Sequence, residues 1–256
     1  MRSATLRSLR PREGPRNALP SRLVAVGGMA LTTRNTVAAG AWERWRVRLL
    51  EQADAPLCLS LANTRQWRHS ASPIEQLSTF DDVVAFARSE SLADAQALSR
   101  VAAHAARHPR AAELELAALV RLREAIYRIF AARAAHGDAA DEDLAQLDSA
   151  FDAALAALAI ALQRDALALG PRHGVEGLDS VRFHCALSAV ALVTGAHGER
   201  IKQCADDRGC GRLFVDLTRN GSRRFCQSRE CGNRARQAAF RARHAQRAGA
   251  SPPHGD

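Results

Sequence analysis

Apolar residues recur every third or fourth position through most of residues 78–194, the spacing of helices that each bury one face. Ser78 or Thr79 can cap a helix to Arg88, with Phe80, Val83, Val84 and Phe86 apolar and Asp81 and Asp82 in the first turn, where carboxylates suit the helix dipole. Ser91 with Asp94 gives a second capping signal, for a helix to about His108 that Pro109 ends. A long amphipathic helix follows from Ala111 to about His136. Leu119, Leu122, Ile126, Ile129 and Phe130 line one side of it, and Gly137 closes it. Asp141 opens a helix with Leu144, Leu147, Phe151, Leu155 and Leu158 on one side. Asp179 or Ser180 opens another, with Phe183, Leu187, Val190 and Val193 inward and Gly195 at its end.

Three stretches break this period. Leu57-Cys58-Leu59-Ser60-Leu61 is a short apolar run that reads as a strand, and Ile160–Leu169 suits a strand pair. Upstream, Trp42, Trp45 and Leu49 or Leu50 have helical spacing, whereas residues 1–40 show no sustained period and read as a disordered basic leader. Met29 offers an alternative start within that leader. The leader is Arg-rich and acid-poor like a transit peptide, but its arginines share no helical face. No run of 18 apolar residues and no apolar signal region is present, which is the pattern of a cytoplasmic protein rather than a membrane one.

The sequence thus predicts a mainly α protein with short β elements. A helical domain spans residues 41–198, a small ββα module of treble-clef or zinc-ribbon type spans 199–248, and a flexible tail covers 249–256.

The small module is defined by its sulfur. Of six cysteines, Cys58 and Cys185 stand alone in apolar stretches and read as small buried hydrophobes. Cys204, Cys210, Cys226 and Cys231 follow one another as C-x5-C-x15-C-x4-C. Two close pairs separated by a hairpin-length linker can place four thiolates in the tetrahedron that one structural Zn2+ prefers. The linker fits a hairpin, with Leu213 and Val215 alternating against Phe214, Asn220-Gly221 as the turn, and Arg223–Phe225 as the returning strand. After Cys231 an amphipathic helix is expected to about Arg247, its N-terminus favouring the thiolate form of the last ligand.

The string Cys204…Cys210-Gly211…Leu213-Phe214…Asp216…Arg223-Arg224-Phe225-Cys226…Cys231-Gly232-Asn233-Arg234 resembles the CGNR zinc finger. Leu57-Cys58-Leu59…Leu61-Ala62-Asn63-Thr64 is similar to the opening of the ABATE domain that precedes that finger. Phe225 stands where the family usually has Trp, Arg236 where Lys is common, and Ser60 where Asp is usual. The resemblance implies a bacterial, stress-linked transcription regulator.

Charge points the same way. Residues 1–50 carry ten Arg against two Glu, residues 51–200 carry 14 Arg against 20 acids, and residues 201–256 carry 12 Lys and Arg against five acids. Surplus positive charge confined to a small module is the electrostatic footprint of nucleic-acid contact. On the last helix Arg236, Arg243 and Arg247 fall within about 40° of one another at about 100° per residue, with Phe240 beside them and Arg234 and Arg241 on a second stripe. Arg223 and Arg224 precede the third ligand, and Phe240 reads as a core residue.

The expected partner is nucleic acid, DNA in preference to RNA, with the helical domain sensing a small-molecule effector or forming a homodimer. The alternatives are an RNA-binding protein and a zinc-stabilised module that docks an acidic protein. Enzymatic readings are weak. His197-Gly198-Glu199 mimics the H-x-E of zinc deaminases, but neither cysteine pair has their C-x-x-C spacing, and four cysteines leave no open coordination position. His104 and His108, one helical turn apart, read as ordinary polar residues near a helix end.

Overall fold

The computed structural model describes residues 56–163, 166–171 and 177–249. The leader, the helix expected around Trp42 and Trp45, and most of the tail lie outside the described residues. The helices are α1 (Leu57–Ala62), α2 (Phe80–Ser89), α3 (Ala95–Arg107), α4 (Pro109–Ala134), α5 (Asp141–Ala156), α6 (Ser180–Thr194) and α7 (Asn233–Gly249). Three two-stranded antiparallel ribbons join them: β1 (Arg65–Gln66) with β2 (Ile74–Glu75), β3 (Leu158–Gln163) with β4 (Ala166–Pro171), and β5 (Ile201–Gln203) with β6 (Leu213–Val215).

The 26-residue α4 is the axis of the body. Leu119, Leu122, Ile126, Ile129 and Phe130 are all buried on it, and α1, α2, α3, α5, α6 and β5 pack around them. Thr79 caps α2 through a reciprocal capping box with Asp82, and Asp94 caps α3 by accepting from the Ala97 N–H. Pro109 both stops α3 and starts α4 at its first position, where the missing N–H has no helical acceptor. The left-handed residue at the end of α4 is His136 (φ 56°), one place before the glycine expected there.

Three expectations are corrected. Residues 57–62 form a helix, because the run starts from the Pro56 carbonyl and every residue but Ser60 is buried. A six-residue apolar run carries no period that separates strand from buried helix.

On α5 the buried face is Asp143, Leu147, Ala150 and Ala154, while Leu144 and Leu155 are 45% and 46% exposed. Asp143 on this face pairs with Arg128 (2.5 Å), and the two alanines let α6 approach closely.

In the C-terminal module residues 223–225 form no strand. Instead β6 pairs with β5 in the register Ile201↔Val215, Lys202↔Phe214, Gln203↔Leu213. The Asn220-Gly221 turn does form, with Gly221 at φ 59°. Asp216 diverts the chain beyond β6. Fully buried, it accepts from the Thr218 N–H (3.0 Å), the Thr218 hydroxyl (2.6 Å), the Arg223 N–H (2.9 Å) and Lys202 Nζ (2.7 Å). Burial opposes its ionisation, but these four donors hold its carboxyl well below the usual range.

Ile201, Leu213 and Val215 belong to the same core as α1 and α4. A second, smaller cluster gathers Cys204, Cys210, Phe214, Cys226 and Cys231, with Trp67 and Phe225 against it.

Candidate metal centre

The first two cysteines sit at the tip of the β5–β6 hairpin. Cys204 extends the ladder through its N–H to the Arg212 carbonyl (2.8 Å), and the chain then turns at Asp206, whose carboxylate accepts from the Arg208 N–H (3.0 Å). The Ala205 N–H bonds the Arg224 carbonyl (2.9 Å), which brings the approach to Cys226 alongside. Cys231 lies in a π-helical turn, Ser228–Gly232, that leads directly into α7. The wide turn fits the ligand spacing: the Gly232 N–H returns five residues, to the Gln227 carbonyl (2.9 Å).

All four thiols are buried, and their sulfurs lie within 4.8 Å of one another. Cys210 Sγ is 3.8 Å from Cys226 Sγ, which is 3.7 Å from Cys231 Sγ. Those separations are far too long for a disulfide, and they match the edge of about 3.8 Å in a tetrahedron with Zn–S bonds of about 2.3 Å. Without a cation such crowding is self-defeating. The hydrogen bond from Cys226 pulls Cys210 towards thiolate, and the same bond together with burial pushes Cys226 up, while burial pushes Cys231 up. A dication relieves all of this at once, so the donor set fits a single structural zinc.

Four thiolates and one Zn2+ carry a net charge of about −2, and the surroundings answer it. Arg234 Nη2 donates to Cys231 Sγ (2.9 Å) and to Asp206 (3.2 Å), with its guanidinium 5.0 Å from the Trp67 ring centroid. The Cys226 N–H points at Cys204 Sγ (3.4 Å). Arg223 lies over the Phe214 ring (4.6 Å) and donates to the Phe225 (3.0 Å) and Cys226 carbonyls. Arg223 and Arg234 are thus engaged in holding the ligand loops. Arg224 is exposed beside the Phe225 ring, and Arg236 donates to the Ser228 carbonyl (3.2 Å) at the base of α7. Arg243 is exposed without an ion pair among the described residues, and Arg247 lies on the last turns of α7. Phe240, expected in the core, is 55% exposed and lies tilted against the His244 ring (4.2 Å), with no element among the described residues covering that side of α7.

The body grips the hairpin tip through residues whose role the sequence did not expose. The His69 N–H bonds the Gly209 carbonyl (3.1 Å), and a Cβ at Gly209 (φ 89°) would come within 2.5 Å of the His69 backbone. Tyr127 donates to the Gly211 carbonyl (2.8 Å) and accepts from Gln203 (2.6 Å), while Arg68 stacks on its ring (3.9 Å). Arg68 in turn pairs with Glu124 (2.6 Å), and the buried Arg123 with Glu75 (2.5 Å). The sequence offers one signal: Tyr127, the chain's single tyrosine, is buried on the same side of α4 as Arg123 and Phe130.

Two family models match the chain. Residues 55–196, more than half of it, match ABATE, described as "Putative stress-induced transcription regulator", and residues 200–244 match the CGNR zinc finger. Neither describes an enzyme. No curated protein matches the sequence.

Proposed function

Since the chain belongs to the ABATE family and carries a CGNR zinc finger after that domain, we propose that it regulates transcription by holding DNA with that finger. One observation carries this reading. Helix α7 bears five arginines and no acid, and almost all of its described side chains are exposed. An Arg-only helix fixed at its N-terminus by a metal centre presents planar, permanently charged forks suited to phosphates and guanine edges. Arg236 and Arg243 form the outward stripe, Arg247 follows at the same helical spacing in the sequence, Arg224 adds charge on the other side of the helix, and Arg223 and Arg234 act by shaping the module. The excess of acids over arginines in residues 51–200 keeps the helical domain off the polyanion.

That domain supplies the signal, by binding an effector or by dimerising. Between α2, α3 and α6 a cavity of about 20 Å³, lined by Val84, Leu98, Val101 and His184 among others, has room for about one water. An effector entering there must part those helices.

Fluorescence anisotropy with a random duplex tests the reading. Affinity is expected to fall with salt at a log–log slope of about −0.9 per phosphate contact. Arg236→Ala with Arg243→Ala should make that slope shallower by about 1.8 while zinc content stays at one per chain. Salt-insensitive association, or a double variant that binds as well as the parent, overturns it in favour of a protein partner.

A further inference from the structure

Helix α7 has a second side, facing away from the Arg236–Arg243 stripe. There, between the helix, the Ala205–Arg208 turn and Phe225, lies a groove of about 730 Å³, within the size range that encloses a small ligand. Four guanidiniums line it: Arg208, Arg224, Arg234 and Arg241. Two carboxylates oppose them. Asp206 is buried and already held by Arg234 (3.2 Å) and Arg208 (3.5 Å), while Asp207 stands exposed. Arg224 and Arg241 make no ion pair among the described residues. The lining is therefore net positive, and its two free guanidiniums come from opposite walls, one from the ligand loop and one from the helix. The half-buried ring of Phe225 is the aromatic side chain of the lining, with the Arg224 guanidinium 5.8 Å from its centroid.

A concave, positively charged track with an aromatic platform is the arrangement that takes a single strand. A duplex carries its phosphates on a convex cylinder and keeps its bases stacked, so it can neither enter the groove nor offer a base face to Phe225. An acidic peptide would satisfy the arginines but brings no flat base to lie against the Phe225 ring. We infer that this groove binds an unpaired stretch of DNA, with phosphates on Arg224 and Arg241 and one base against Phe225. This rests on the reading of the finger as a DNA-contacting module and adds the form of DNA that one of its two sides selects. The alanines at 235, 238 and 239 keep the helix wall low enough for a base to approach.

The test uses the full, zinc-loaded chain and three labelled probes of equal phosphate number: oligo(dT), oligo(U) and a duplex hairpin. Oligo(dT) is expected to bind more tightly than the hairpin. Arg224→Ala with Arg241→Ala should raise its Kd at least tenfold, with zinc content and melting midpoint unchanged. Phe225→Leu keeps an apolar side chain against the metal loops but removes the ring face, and should raise the oligo(dT) Kd by about 5- to 150-fold. The groove inference is overturned if the double variant binds oligo(dT) like the parent, if oligo(U) binds as tightly as oligo(dT), or if poly-glutamate displaces the strand at equal charge. If the hairpin binds and the groove variants match the parent, only this inference falls. If none of the probes binds, the DNA reading falls with it.

Discussion

Asn63 and Leu213, 150 residues apart, exchange two hydrogen bonds: the Asn63 amide donates to the Leu213 carbonyl (2.9 Å), and the Leu213 N–H donates to Asn63 Oδ1 (3.0 Å). The side chain thus acts as a one-residue strand alongside β6, at the point where α1 meets the metal hairpin. Both partners are buried, so neither Leu213 group has water to fall back on.

Asn63→Ala should therefore cost about 3 kcal/mol, given about 1–3 kcal/mol for each backbone group left without a partner. Urea denaturation measures the loss, and chelator competition should show faster zinc release. Asn63→Asp should be nearly as damaging, because it keeps the acceptor for the Leu213 N–H but loses the donor to its carbonyl.

The shared core makes a prediction about metal removal. Ile201, Leu213 and Val215 pack with α1 and α4, so the hairpin bearing Cys204 and Cys210 is part of the body's interior. Calorimetry should show one transition for zinc-loaded protein, and stripping the metal or making Cys226→Ser should lower the midpoint of the helical body as well as release α7. Two independent transitions, with the body's midpoint indifferent to zinc, would contradict this.

Arg234 touches both a ligand sulfur and Asp206. Replacing it by alanine should weaken zinc binding about 10- to 100-fold, the usual effect of losing a hydrogen bond to a ligand. Chelator competition measures it. At saturating zinc the variant should regain most of its DNA affinity. A loss that persists there would mean that Arg234 contacts the nucleic acid itself.

Cys58 is completely buried in α1, and burial pushes its thiol up to about 12. The folded protein keeps that proton where an unfolded thiol, with a pKa of about 8.5, gives it up. Between those values the folded state binds more protons than the unfolded one, so stability should fall as pH rises from about 9 towards 12. Cys58→Ala should flatten that decline in thermal melts, despite a lower midpoint at pH 7. At pH 8 a maleimide should label none of the six cysteines of native zinc-loaded protein. After chelation it should label four, leaving Cys58 and Cys185.

Much of this protein was legible from local pattern. The helix starts at Thr79 and Asp94 follow from short-range capping, and the long axis of α4 follows from apolar spacing. The four-cysteine zinc centre follows from clustering in an otherwise thiol-poor chain. Each depends on interactions within a few residues or on ligand chemistry that tolerates few alternatives.

Other features needed the assembled molecule. Which side of α5 turns inward was decided by packing against α4 and α6, which buries Leu147, Ala150 and Ala154 and leaves Asp143 paired with Arg128. The partner of β6 is β5, whose Ile201 shares the main core with Leu213 and Val215, and Asp216 ties the following turn to that ribbon through Arg223 and Lys202. The roles of Asn63, His69 and Tyr127 exist only across the contact between body and hairpin. Sequence fixes what a segment prefers and which metal its sulfurs suit. Packing decides which of two apolar faces is covered and which distant backbone group a buried polar side chain must satisfy, because those choices depend on partners that no local window contains.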